Sequence, residues 1–168
     1  MISRLRIVPL DGTHDRSDFD CGVEPLNRYL REQAGQDMKR RICNCFLASL
    51  PDGKIAGYYT LAAASIPLTE LPEGTRRKLP RYGFVPAALV GRLAVATAHR
   101  RARLGGALVA DAARRAARAG PAVHALIVDA KDDNAVGFYL HLGFRQFESR
   151  PMTLFLPLAT ALAAFGSA

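Results

Sequence analysis

Apolar and polar positions along this chain fall into short segments with distinct periods. Leu5 to Pro9 reads as a short strand, and the polar stretch Asp11 to Asp18 as turn-like. From Val23 to Ala34 the apolar residues Val23, Leu26, Leu30 and Ala34 recur at spacings of three and four, which predicts a helix. Asp20 precedes it as a candidate cap. Ile42 to Leu50 and Ile55 to Ser65 read as two strands joined by the turn Pro51-Asp52-Gly53-Lys54. The stretch Ile66 to Pro86 is rich in Pro, Gly, Arg and Lys and reads as a long loop, a kind of segment that often carries function.

The second half begins with a strand from Leu89 to Val95 and a helix from Leu104 to Ala119, stopped by Gly120-Pro121, whose exposed face carries Arg114, Arg115 and Arg118. Val123 to Ala130 is almost continuously apolar, as expected of a central strand covered on both faces. Asn134 to Leu142 is a short helix ended by Gly143. Phe144 to Glu148 and Met152 to Pro157 are the last strands, and Leu158 to Phe165 is apolar enough for a helix that packs on the body or on a partner. The order β-α-β-β-β-α-β-α-β-β predicts an α/β fold, a mixed sheet with helices on both faces.

At 168 residues and 49% hydrophobic, the chain is long enough for a core without disulfides and is expected to form one domain over 1–168. It is too apolar for disorder. The net charge is +8, and only Lys39, Lys54, Lys78 and Lys131 are lysines, so the basic side is almost all arginine. Arginine's planar fork suits phosphate, although an arginine-rich surface needs no partner. Cys21, Cys43 and Cys45 cannot all pair internally and read as reduced thiols of a cytoplasmic protein. No spacing of Cys and His suggests a metal site, the N-terminus lacks the apolar run of a signal peptide, and no stretch is long and apolar enough for a membrane span.

Two places attract chemistry. After Leu89–Val95 comes the basic turn Arg100-Arg101-Ala102-Arg103-Leu104-Gly105-Gly106, which opens a helix. Backbone N–H groups and the positive helix end meet there, an arrangement that suits phosphate. As a pattern, the turn fits either an anion site or a solvated basic surface. The second place is the short helix after the central strand, with Asn134, Phe138 and Tyr139. Ligands bind at strand ends in α/β sheets. A tyrosine there fits either a proton donor or a packed aromatic.

Leu93-Ala94-Val95, the basic turn ending in Leu104-Gly105, and Asn134…Phe138-Tyr139…Gly143-Phe144 together resemble the GNAT N-acetyltransferases. Phe19-Asp20-Cys21-Gly22-Val23-Glu24-Pro25-Leu26-Asn27, Gly57-Tyr58-Tyr59-Thr60-Leu61 and Val90-Gly91-Arg92-Leu93-Ala94-Val95 look like the GNAT toxins of bacterial toxin–antitoxin modules. The resemblance runs over roughly residues 4 to 158. It implies a mixed, mostly antiparallel central sheet of six to seven strands. It also implies acetyl-CoA as donor, the α-amine of a charged tRNA as acceptor, arrest of translation, and a ribbon-helix-helix antitoxin as silencing partner. Relatives are often dimers, which leaves a homodimer open.

By the same resemblance, the backbone of Leu93, Ala94 and Val95 bonds the pantetheine arm. Arg100, Arg101, Ala102, Arg103, Leu104, Gly105 and Gly106 hold the pyrophosphate, with Asn134 also on the cofactor. Tyr139 protonates the departing thiolate. A thiol titrates near ~8.5 and a phenol near ~10, so the phenol still holds its proton at neutral pH. The acceptor α-amine titrates near ~8, so a useful fraction is already neutral and no general base is assigned; His99 and His141 are read as surface residues.

The family's turn usually reads Arg/Gln-x-x-Gly-x-Gly/Ala. Here Arg103 occupies the inner glycine position and Arg101 another place where glycine is common. That leaves a weakened enzyme and a non-catalytic GNAT-fold binding module open beside the toxin reading, as is an acetyltransferase of small amines or protein N-termini. Arg40, Arg41, Arg76, Arg77, Lys78, Arg81 and Arg92 are the candidate tRNA contacts, drawn from separate segments.

Overall fold

The computed structural model describes residues 4–166. Seven strands, β1 (Arg6–Pro9), β2 (Asn44–Ser49), β3 (Ile55–Pro67), β4 (Phe84–Val95), β5 (Ala125–Asp129), β6 (Arg145–Gln146) and β7 (Thr153–Pro157), are ordered β1-β2-β3-β4-β5-β7-β6. The β1–β2, β2–β3, β5–β7 and β6–β7 pairs are antiparallel, and β4–β5 is parallel. The parallel pair needs a crossover, supplied by the helix α4 (Leu104–Arg118). The mixed, mostly antiparallel α/β sheet expected from the sequence is therefore present.

The chain divides into two compact units. One comprises Met1–Ala62 and Gly91–Asp111, the other Ala63–Val90 and Ala112–Ala168. The chain passes between them inside β3, β4 and α4, without linkers.

In the first unit, the expected helix from Val23 is longer than its apolar stripe. It runs as α1 (Glu24–Arg28), a π-helical turn (Tyr29–Gln33) and α2 (Ala34–Lys39). Asp20 does not cap it: the N-cap residue is Val23, with no side-chain cap. The Asp20 carboxylate instead accepts from the Gly22 N–H at 2.8 Å and from the Asn27 amide at 3.1 Å, closing the loop ahead of the helix. Leu30, Ala34, Leu47 and Tyr58 are fully buried in this unit's core. Gly57 lets β3 and β4 approach closely. A Cβ there would lie 2.8 Å from the Ala94 carbonyl oxygen and 3.2 Å from a Leu108 methyl.

In the second unit, the expected long loop Ile66 to Pro86 is mostly ordered structure. β3 continues to Pro67, a 3₁₀ turn covers Leu68–Glu70, α3 covers Glu73–Arg76, and β4 already starts at Phe84. Ile66, Leu71 and Val85 are the reason: each is buried in the core with Ile127, Phe147 and Phe155. β6 is two residues long, shorter than the expected Phe144 to Glu148, because Phe147 turns into that core. α5 (Asp133–His141) and α6 (Leu158–Phe165) match the expected helices, and Leu158 and Ala161 of α6 are buried. The arginine face of α4 is more covered than expected. Arg114 is half-buried and donates to the Phe165 carbonyl at the end of α6 (3.3 Å), while Arg118 stays exposed.

Candidate active site

In the first unit, β4 ends at Val95, and a 3₁₀ turn, Thr97–Ala102, leads to α4. The junction residue is Arg103, with φ 56° and ψ 26°. This left-handed conformation is the one glycine adopts freely, so the structure supplies the reason a glycine is common at this position. The backbone takes the glycine-type path although the side chain is arginine. The first turn of α4 closes with the Ala107 N–H on the Arg103 carbonyl at 3.3 Å. By helix geometry, the amides of Leu104, Gly105 and Gly106 then lack intrahelical acceptors and point out of the positive helix end. Gly105 and Gly106 are half-buried, and Leu104 is in the core. The side chains of Arg101 and Ala102 lie outside the described residues.

Arg100 is committed elsewhere. Its guanidinium donates to the Cys21 carbonyl and lies beside the Asp20 carboxylate, whose pKa it helps the Gly22 and Asn27 hydrogen bonds to lower. Gly22, at φ +82°, leaves room for it: a Cβ there would sit 2.8 Å from a guanidinium nitrogen. Arg100 thus ties the 3₁₀ turn to the segment before α1. Replacing Arg103 with glycine should relieve about 1 kcal/mol of backbone strain. A rise in the melting temperature by a few degrees checks this; a fall would mean the guanidinium holds the turn.

Also in the first unit, Arg92 is less available than a surface cation. Its guanidinium stacks 3.6 Å over the Tyr29 ring. The Tyr29 hydroxyl donates to Asp37 at 2.8 Å and lies 3.3 Å from the Cys43 sulfur. The Arg92 N–H donates to the Thr60 hydroxyl at 3.0 Å, so a buried side chain replaces a ladder partner just ahead of Leu93 to Val95. Arg92, Tyr29, Leu26, Arg28, Glu32 and Gln33 line a groove of about 280 Å³ along the π-helical turn. Arg40 and Arg41 are exposed beyond α2, and among the described residues Arg41 is the other non-glycine residue with positive φ (59°).

In the second unit, β4 and β5 pair from Ala87↔Ala125 to Val90↔Val128, and β4 runs on through Gly91 to Val95. After β5, Asp132 caps α5 by accepting the Ala135 N–H at 2.8 Å. Asn134 is exposed in the first turn. Two turns of helix carry Tyr139 inward, with its ring packed edge-on against Phe138 (5.1 Å) and Phe144 (5.4 Å). The residue is only 5% exposed. Burial first, and the Asp129 carboxylate second, push its pKa up to about 12. Among the described residues nothing hydrogen-bonds its hydroxyl, and no buried side-chain oxygen or nitrogen is left without a partner. The ring is thus packed, and burial keeps the hydroxyl protonated at neutral pH. His141 is exposed at the end of α5, and His99 is half-buried in a groove of the first unit with Asp15, Asp18 and Asp20.

Burial also holds the Tyr58 phenol well above its usual range. For Tyr58 and Tyr139 the unfolded chain gives up the proton first, near pH ~10. Stability from these groups is complete below that pH and declines as pH climbs toward about 12. The urea midpoint should be lower at pH 11 than at pH 9; equal midpoints would contradict the burial of these phenols.

Arg76, Lys78 and Arg81 are exposed in the second unit, and Arg77 pairs with Glu73 at 2.7 Å. Among the described residues no cluster of His, Cys, Asp and Glu could hold a metal, and no helix is long and apolar enough to cross a membrane. All three cysteines are free, and burial pushes the Cys45 thiol up to about 12.

The family model "Acetyltransferase (GNAT) domain" matches residues 81–153. Over 154 residues the chain is 32% identical to the tRNA-acetylating toxin of Mycobacterium tuberculosis (strain ATCC 25618 / H37Rv), spanning 90% of this chain and 91% of that protein. It is 30% identical over 171 residues to the probable toxin TacT of Sinorhizobium fredii (strain NBRC 101917 / NGR234), spanning 95% and 94%. The structure of AtaT complexed with acetyl-methionyl-tRNAfMet superposes with a TM-score of 0.86 at 29% identity, covering 96% of this chain and 99% of that one. A tyrosine-to-phenylalanine AtaT bound to the C-terminus of the antitoxin AtaR and acetyl-CoA gives 0.79 at 27% identity, covering 96% and 98%. The chain belongs to the GNAT acetyltransferases and is related to the TacT, AtaT and KacT toxins.

Proposed function

We propose that this protein is an acetyl-CoA-dependent N-acetyltransferase toxin that acetylates the α-amine of aminoacyl-tRNA and so blocks translation. The observation that carries this reading is the near full-length relationship to a tRNA-acetylating toxin, in a chain that keeps a protonated tyrosine after β5. Acetyl-CoA supplies a thioester, from which the acetyl group passes to the amine. The residues present fit that donor. The amides of Leu104, Gly105 and Gly106 and the Arg103 cation would hold the pyrophosphate, and the Leu93 to Val95 backbone the pantetheine arm. The Tyr139 hydroxyl would give its proton to the departing thiolate and regain one from solvent. Its raised pKa makes Tyr139 a weak acid, but a thiolate of pKa ~8.5 leaves readily and needs only a nearby proton. The acceptor amine loses its own proton to solvent. Asn134, exposed at the start of α5, is kept as a cofactor contact at the helix end.

The glycine-type path of Arg103 argues against the non-catalytic reading, because the substitution leaves the backbone cradle in place. Silencing by a ribbon-helix-helix antitoxin and self-association belong to the same proposal; AtaT is bound by the C-terminus of AtaR. Incubation with acetyl-CoA and charged total tRNA, followed by release of the amino acids, tests the substrate. N-acetylated amino acids are expected; acetylation confined to small amines or protein N-termini would overturn the reading. Arg40 and Arg41 should serve RNA binding rather than chemistry. Their double alanine variant should raise the apparent KM for charged tRNA, leave kcat unchanged, and reduce the salt slope by about 0.7–0.9 per lost phosphate contact. Unchanged binding at every salt concentration would make this pair an ordinary solvated surface.

A further inference from the structure

Two large apolar side chains before and at the start of β4 lie in solvent: Tyr82 is 82% exposed and Phe84 59%. The segment that carries them is anchored. Leu79 packs against the second unit's core and Val85 is buried in it. The Leu68 N–H donates to the Gly83 carbonyl at 2.9 Å, and the Tyr82 N–H to the Pro80 carbonyl at 3.0 Å. With Leu79 and Val85 held inside, the aromatics between them face outward. The alternation of β4 keeps Phe84 there, with Val85 and Ala87 inward.

Exposed cations precede the pair in the same segment. Arg76, Lys78 and Arg81 are exposed, and among the described residues no carboxylate pairs with them. The neighbouring acids are already engaged, Glu73 by Arg77 at 2.7 Å and Glu70 by Arg150 at 2.6 Å. An exposed apolar pair alone would suit a protein partner. The same pair among unneutralised cations suits a polyanion that also offers flat apolar faces, which is nucleic acid with unpaired bases.

We propose that Tyr82 and Phe84 are a stacking platform for unpaired bases of RNA, with Arg76, Lys78 and Arg81 on the flanking phosphates. This rests on the tRNA reading and deepens it. A base-paired stem hides its base faces, so the platform favours the single-stranded acceptor end, where the reacting amine is carried.

The test is fluorescence anisotropy of the full chain with a labelled short single-stranded RNA and with the same strand annealed to its complement, over a range of salt. Y82A/F84A should bind the single strand roughly 10-fold or more weakly with the salt slope unchanged, because stacking displaces no counterions. It should bind the duplex as wild type does, and Y82F should bind both as wild type does. R76A/R81A should weaken both RNAs and flatten the slope. Equal single-strand binding by wild type and Y82A/F84A overturns the platform, as does a double variant that keeps RNA binding but loses self-association in sedimentation. Wild type that acetylates charged tRNA while Y82A/F84A binds normally sinks the platform alone. Wild type that binds single strands through these aromatics but acetylates no charged tRNA supports the platform and sinks the tRNA reading.

Discussion

Replacing Tyr139 with phenylalanine is expected to leave the protein folded and to cut acetyl transfer by about 10²-fold or more, the usual scale for losing a general acid. The ring is what packs: it meets Phe138 and Phe144 edge-on, and phenylalanine keeps both contacts. The hydroxyl has no hydrogen-bond partner among the described residues, so removing it orphans nothing. The loss should therefore fall on kcat, with the melting temperature and acetyl-CoA affinity close to wild type. The pH profile separates the role further. With its pKa pushed up to about 12, the phenol does not ionise in the working range. The rate should rise with the neutral fraction of the acceptor amine, near pH ~8, and then level off. The variant should follow the same limb at a lower height. Unchanged turnover in a variant whose chemical step is rate-limiting would remove Tyr139 from the mechanism.

Gly57→Val should damage the first unit where β3 meets β4. Its Cβ would meet the Ala94 carbonyl oxygen at 2.8 Å, and that atom is backbone, which cannot swing aside as a side chain can. Leu104 and Leu108 stand behind it at 3.4 and 3.2 Å. Either β4 moves away from β3 near Ala94 or the start of α4 shifts, and both belong to the proposed donor site. Overpacking of this kind costs about 1–3 kcal/mol. Denaturation should show a loss of that size, and calorimetry should show weakened acetyl-CoA binding even where the variant is folded. Wild-type stability would mean the two strands separate more easily than this contact allows.

Local patterns in the sequence reached the strand and helix order because each element writes its own period. They singled out Tyr139 because it follows a continuously apolar strand, and the turn because arginine and glycine cluster there, while the roles proposed for both came with the family resemblance. The remaining features depend on partners distant in the chain. Arg100 meets Cys21 across 79 positions, and Arg92 meets Thr60 across 32. No local pattern marks Arg92 as stacked on Tyr29 rather than free. The stretch after Ile66 misled for the opposite reason: its prolines and cations hide Ile66, Leu71 and Val85, whose burial orders it. Gly57 did carry a signal, since a glycine inside an apolar strand often marks close backbone approach. The exposure of Tyr82 and Phe84 had none, because an aromatic beside a strand is normally core.

The interleaving of the two units sets a timetable for synthesis. Ala94 and Ala96 are part of the first unit's core, so its opening Met1–Ala62 stretch cannot complete that core until β4 has left the ribosome. Phe147 and Phe155 close the second unit's core, so Ile66 to Val90 wait for nearly the whole remaining chain. A nascent chain truncated before β7 therefore holds no finished second core. Arrested chains of increasing length should gain protease resistance in two late steps, after about Asp111 and near the C-terminus, rather than in proportion to length.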